Sequence, residues 1–240
     1  MLIGAVLMLF QLGSSIELPL NRVAAPTSIE GTPLTIYVSG TAEVGVTGDG
    51  ATVEADLKLD ISDLQRKFSS IVRARTSGTV CEEELTLTAA ALRWTGSYPE
   101  AAATATRETW RCEQGKKVAS TSREQGAVRF RIDVQRTADE WISFGVTAVS
   151  VEGSDRLKTL VAHQLAGTMF STVAERALSS SVSRETLTAP LAPEIRVLQP
   201  RIKAVEFLST GTADILLHVS ASLVIPSDKI PAVLAWAVGG

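Results

Sequence analysis

Two histidines, two cysteines and a run of three glutamates are the residues of this 240-residue chain best equipped for chemistry. His163 and His218 stand far apart, with no carboxylate or cysteine at metal-ligand spacing, so no metal motif is formed. Both read as surface or internally satisfied histidines. Glu82, Glu83 and Glu84 are adjacent. On a strand, adjacent side chains point to opposite faces, so these three cannot converge on calcium or act as an acid and base pair, and they read as a solvated strand start. Serines are plentiful, yet there is no G-x-S-x-G elbow, and Ser179, Ser180 and Ser181 read as a helix end. No glycine-rich phosphate loop follows any strand-like run. The sequence implies no cofactor and reads as a non-enzyme, because an enzyme needs polar groups converging in a cleft.

The cysteines lend themselves to a different chemistry. The midpoint between Cys81 and Cys112 falls between Gly96 and Ser97, within the turn-forming run Thr95-Gly96-Ser97-Tyr98-Pro99-Glu100, with strand-like runs on both sides. A hairpin folded there places the two cysteines opposite each other, and a disulfide closing a loop of this length contributes roughly 3 kcal/mol. A redox or metal role has neither a CxxC nor a neighbouring histidine to support it.

A disulfide presupposes an oxidising compartment. The nearly uninterrupted apolar run Leu2 to Leu12, followed by Gly13, Ser14 and Ser15, has the form of a signal-peptide core and cleavage site, so residues 1–15 read as a signal peptide or its remnant. No Lys or Arg precedes Arg22, so the basic leader region is missing. The alternatives are a buried N-terminal strand or helix, or a retained membrane anchor. The expected location is the periplasm or another exported, envelope-associated site. A single asparagine and sixteen arginines to seven lysines suit a GC-rich bacterial genome. A formal net charge of −3 and arginines scattered along the chain argue against a nucleic-acid partner. With 45% hydrophobic residues, residues 16–240 suffice for a single folded domain.

The elements that must position these residues are mostly strands. Apolar residues alternate at Leu34, Ile36, Val38, Ala42, Val44 and Val46, and again at Val53, Ala55, Leu57, Leu59 and Ile61, predicting a hairpin around Gly48-Asp49-Gly50. Ser62 is placed to cap a short helix with Leu64, Phe68, Ile71 and Val72 on one face. Strands near Val80 to Trp94 and Ala101 to Cys112 form the cysteine hairpin, and a turn at Gln114 to Lys117 leads into a weaker strand. Val128, Phe130, Ile132 and Val134, then Ile142, Phe144, Val146 and Ala148, predict another hairpin. Beyond Gly153, with Ser154 at the cap position, apolar residues recur at helical spacing from Leu157 to Leu178. Pro190, Pro193 and Pro200 punctuate an irregular stretch. Val205 and Phe207, then Ile215 to Ile225, form the clearest strands, and Ser227-Asp228 is placed to cap an apolar terminal helix from Lys229 to Val238.

A strand from Ala213 to Ile225 spans about 43 Å at ~3.3 Å per residue. A helix from Asp155 to Leu178 spans about 36 Å at ~1.5 Å per residue. The matched lengths predict a strand-dominated α+β fold: a long, strongly twisted antiparallel sheet wrapped around one long helix, elongated in shape. Aromatics are only 5% of the chain, so such an interior is either filled by small aliphatic residues or left partly open. A long amphipathic helix, a proline-broken stretch, and then Arg201 to Ile225 with its turn at Ser209-Thr210-Gly211 and terminal strand Asp214-Ile215-Leu216-Leu217-His218-Val219-Ser220-Ala221 resemble the tubular lipid-binding (TULIP-like) proteins. The resemblance covers residues 33 to 226 and lies in element order and rhythm. It implies a tunnel between helix and sheet that binds phospholipid, sterol or a related amphiphile. The cysteine hairpin and the modest size depart from the family pattern.

The inward faces offer Ile142, Phe144 and Val146; Leu165, Met169 and Val173; and Ile215, Leu217 and Val219 as tunnel lining, or as an ordinary closed core. Met169 is the most adaptable of these. Two functions follow as expectations. One is non-enzymatic binding or transport of a lipid or other apolar small molecule, with membrane contact. The other is an envelope structural or assembly module that offers a partner protein its strand edges or the apolar segment Ile230 to Trp236.

Overall fold

Period-two alternation becomes strand pairing at once in the N-terminal half. The computed structural model describes residues 15–29, 31–47, 50–75, 83–167, 170–191, 193, 196, 198–211, 214–232 and 235. β1 (Ile16–Ile29), β2 (Thr32–Thr47) and β3 (Gly50–Asp60) run antiparallel in succession. In β2, Leu34, Ile36, Val38, Ala42 and Val44 are buried, as their spacing predicts. β1 was not legible as a strand because Pro19 and Pro26 interrupt it; it lies at a sheet edge, where a residue without an N–H is tolerated. Gly40 sits where β1 shifts register against β2, and a Cβ there would lie 1.9 Å from the Asp56 carbonyl oxygen, so only glycine fits.

α1 (Ser62–Arg75) follows, and Asp60 accepts the Ser62 N–H at its start. Asp63 in its first turn is buried and accepts from Thr35 N and Lys67 Nζ, both at 2.9 Å, tying α1 to β2. Leu64, Phe68, Ile71 and Val72 are at most 1% exposed. β4 (Glu83–Trp94), β5 (Pro99–Glu113), β6 (Lys116–Arg136) and β7 (Ile142–Val151) form a meander. The β4–β5 turn falls at Thr95 to Tyr98, where the sequence placed it, closed by Thr95 N donating to Tyr98 O at 3.0 Å. The weak strand after Lys117 and the strong one after Gly126 are one continuous strand, β6.

The chain closes with α2 (Asp155–Gly167), α3 (Phe170–Ser181), α4 (Arg184–Thr188), β8 (Arg201–Ser209) and β9 (Ile215–Pro226), then a 3-10 turn at Ser227–Lys229. Ser154 caps α2 as expected, its hydroxyl accepting the Leu157 N–H at 3.2 Å. β9 carries the strict alternation read from its sequence and inserts between β3 and β8. Two antiparallel sheets result, ordered β1-β2-β3-β9-β8 and β4-β5-β6-β7.

The strand-dominated antiparallel architecture matches the sequence reading, but its arrangement differs in two respects. There are two sheets where one was expected. The run Asp155 to Leu178 is carried by two helices, with residues 168 and 169 between them outside the described residues. Among the described residues, the helix set most deeply into the core is α1, about 21 Å long at ~1.5 Å per residue, which packs against β2, β4, β9 and α3. Phe144 of β7 and Phe207 of β8, with centroids 6.1 Å apart, join the second sheet to the first, and Ile202 N donates to Glu140 O at 3.0 Å. Residues 1–14, and with them nearly all of the expected signal peptide, lie outside the described residues; so do 233–234 and 236–238 of the expected terminal helix.

Candidate functional site

The residues expected to line a tunnel come from both sheets and share one core. Ile215, Leu217 and Val219 of β9 are at most 1% exposed, Ile142 and Phe144 of β7 are buried, and Val146 packs against the same core from a half-buried position. Leu165 lies on α2 and Val173 on α3, with side chains outside the described set; Met169 lies outside the described residues altogether. The β7 and β9 side chains are in close contact with other apolar groups, and burial of each contributes about 1.5–3 kcal/mol to folding.

Space opens beside this core, at the β1 edge. A groove of about 600 Å³ runs between Val23 to Thr27 of β1 and the segment that includes Ser183, Glu185, Thr186, Thr188 and Ala189, with Arg196 at its rim. Behind it lies a second, small apolar cavity of about 30 Å³, walled by Leu20, Val53, Leu57, Leu187, Leu191 and Leu223; Thr188 borders both. The wall opposite β1 is held by short-range bonds. Ser183 caps α4 by accepting the Thr186 N–H at 3.2 Å, Thr188 Oγ1 donates to Arg184 O at 2.9 Å, and Arg196 Nε donates to Leu191 O at 2.7 Å. The Ser183 hydroxyl and a backbone N–H hold the Glu185 carboxyl below its ordinary range. The groove thus has small and apolar side chains on its floor and one charge of each sign at its rim. The proline-broken stretch that forms this wall carries no periodicity, which is why the sequence did not mark it.

His218 lies on the outer face of the first sheet, 21% exposed. Its Nε2 meets Asp56 Oδ2 at 2.9 Å and its Nδ1 meets Glu206 Oε1 at 3.1 Å. The Asp56 hydrogen bond, and then that of Glu206, raise its pKa against the opposing effect of partial burial. When the ring is protonated, both nitrogens donate to these carboxylates. The group acts as a charge clamp across β3, β9 and β8, with Lys58 opposite it in register. Because its folded pKa is raised, the clamp's contribution is fully present below about pH 6.5, the unfolded histidine value, and is lost as pH rises through the folded value. Urea melts at about pH 5.5 and 8.5 are expected to show a larger stability gap between wild type and His218→Gln at the lower pH. An equal gap at both would remove the clamp.

Glu83 pairs with Arg107 and Glu84 with Lys117, so these neighbours diverge as expected of a strand. Glu82 and the side chain of His163 lie outside the described set. Among the described residues no group of three His, Cys, Asp or Glu is placed to hold a metal. No described cysteine is a free thiol; Cys81 lies outside the described residues, and its pairing with Cys112 remains an expectation. No described helix is long and apolar enough to cross a membrane.

No protein-family model, no curated protein and no solved structure matches the chain.

Proposed function

We propose that this protein is an exported, non-enzymatic binding protein of the bacterial envelope whose cargo is a lipid or other amphiphile. The observation that carries the reading is the groove between β1 and the Ser183 to Arg196 segment. Its volume, about 600 Å³, lies within the range of small-molecule sites, roughly 300–1,000 Å³. Its floor of Val23, Ala25 and Ala189 suits an acyl or ring system, and Arg196 and Glu185 at the rim suit a polar head. The apolar cavity behind Thr188 would lengthen the site if Leu187 or Leu191 changed rotamer. A tunnel of the tubular lipid-binding kind, with Leu165, Met169 and Val173 in its lining, is the extended form of this proposal.

The test is native mass spectrometry of protein purified from its host's envelope, followed by organic extraction and by uptake of fluorescent fatty acid. Val23→Trp puts an indole into the groove from a half-buried β1 position on the same face as Ala25, so the groove is filled while the strand keeps its pairing. Loss of a lipid-sized adduct and at least a tenfold drop in uptake, about 1.4 kcal/mol, are expected at an unchanged melting temperature. A clean apo mass without uptake by the wild type would overturn the reading.

One observation favours a second reading, an assembly module. β6 pairs with β7 only from Val128 onward and Glu152 to Ser154 cover Glu124 to Gly126, so among the described residues Lys116 to Arg123 carry a strand on the β5 side alone. Such an edge suits an added strand from a partner protein. Crosslinking from Val118, 47% exposed on this arm, would capture that partner.

A further inference from the structure

The outer face of the second sheet carries a pocket that neither the core nor the groove explains. It measures about 330 Å³ and is lined by Ala89, Arg93, Glu100, Ala102, Thr104, Ala127 and Arg129, with backbone from Ala103 and Val128. Residues paired across strands share a face, so Ala102 sits beside Arg129, and Glu100 between Arg93 and Arg131. The floor is made of alanine and threonine, and this shortage of side chain leaves the space.

Three features mark the pocket as a site. Glu100 is only 9% exposed, yet no hydrogen bond or ion pair reaches its carboxylate among the described residues. Its oxygens are not among the sealed, unsatisfied atoms, so what the carboxylate exposes opens onto the pocket, where a donor from a ligand can replace water. The nearest cations do not supply one. Arg131, directly opposite, is drawn away to Asp133 at 2.6 Å and lies over the Tyr98 ring, while Arg93 and Arg129 are exposed and form no ion pair. Finally, β4 bulges between Thr88 and Ala91 at the pocket's edge, with Ala89 in a left-handed conformation at φ +52°. Strain of this kind in a non-glycine residue, like a bulge that re-aims neighbouring side chains, is typical of binding sites.

We propose that this pocket binds a small zwitterion, its primary ammonium hydrogen-bonded to the Glu100 carboxylate and its anionic end held by Arg93 and Arg129. Strands are about 4.8 Å apart, and residues two apart on one strand about 6.8 Å, so the charged groups require a ligand with its two charges joined by a short linker. An ethanolamine phosphate has that form. It occurs both as a free metabolite and as a lipid headgroup, and the two sources are separable.

The experiment is an NMR and calorimetric titration of the full chain with phosphoethanolamine, paired with phosphocholine, which keeps both charges but has no N–H to donate. Saturable binding of phosphoethanolamine, at least tenfold weaker for phosphocholine and for Glu100→Gln, and weaker again for Arg93→Ala with Arg129→Ala, is the expected result. Val23→Trp, which fills only the β1 groove, leaves it unchanged, so this site and the groove fail or succeed separately. Co-sedimentation with phosphatidylethanolamine vesicles but not phosphatidylcholine vesicles, lost in Glu100→Gln, assigns the ligand to a lipid surface. Binding of the free headgroup alone assigns it to a soluble metabolite. No binding at millimolar phosphoethanolamine, or binding indifferent to Glu100→Gln, overturns the proposal; in that case the arginines close on Glu100 in solution.

Discussion

Replacing Phe68 with alanine is expected to cost about 3–5 kcal/mol, the largest single loss in the molecule. Phe68 has no exposed surface and sits midway along α1, between Leu64 and the Ile71–Val72 pair, all at most 1% exposed. α1 packs against strands of both sheets, so the cavity left behind is bounded by β-structure that cannot close around it without breaking register. A domain of this kind is stable by about 5–15 kcal/mol, so the variant loses a large part of its margin. Urea unfolding followed by circular dichroism checks the effect. Ser70→Ala, on the exposed side of the same helix, serves as the control and is expected to be neutral or slightly stabilising. A loss below about 1 kcal/mol for Phe68→Ala would mean that α1 does not hold the sheets together.

The second large effect belongs to a glycine. Gly126 of β6 lies where β7 ends and α2 begins, and a Cβ on it would stand 1.8 Å from the Glu152 carbonyl oxygen and 3.0 Å from Leu157 Cδ2. The obstacle is mainly backbone, and that backbone is fixed by Glu152 N donating to Ala127 O at 2.8 Å. Gly126→Ala must therefore push the start of α2 away from the sheet, at about 3 kcal/mol, in the upper range for overpacking. Gly145 on β7 is the matched control: its Cβ meets nothing within 4 Å, and an alanine there is expected to stabilise by up to about 1 kcal/mol through the unfolded chain. Thermal melts of the two variants should move in opposite directions. If both fall equally, the close approach at Gly126 is not what limits it.

The same contrast between local and distant causes divides what was legible in the sequence from what was not. The alternation of β2, β3, β6, β7 and β9, the turn at Thr95 to Tyr98, the helix after Ser62 and the Ser154 cap all follow from residues within one or two turns of each other. A pleat of period two and a hydroxyl three residues from an N–H are properties of a short segment, so the chain declares them by itself. β1 was missed because Pro19 and Pro26 argue against a strand everywhere except at an edge, and edge status belongs to the sheet. Whether the strands made one sheet or two depended on which neighbour each chose across long loops, and the insertion of β9 between β3 and β8 is such a choice. The candidate sites belong entirely to this second class. Asp56 and Glu206 meet His218 from separate strands, Val23 to Thr27 face Ser183 to Ala189 across more than 150 residues, and Glu100 lies between Arg93 and Arg131 of neighbouring strands at the edge of a pocket. Composition and periodicity determined that this chain builds an apolar, strand-rich core. Tertiary pairing alone decided where polar groups gather around open space, because that depends on distances between segments that the chain order does not contain.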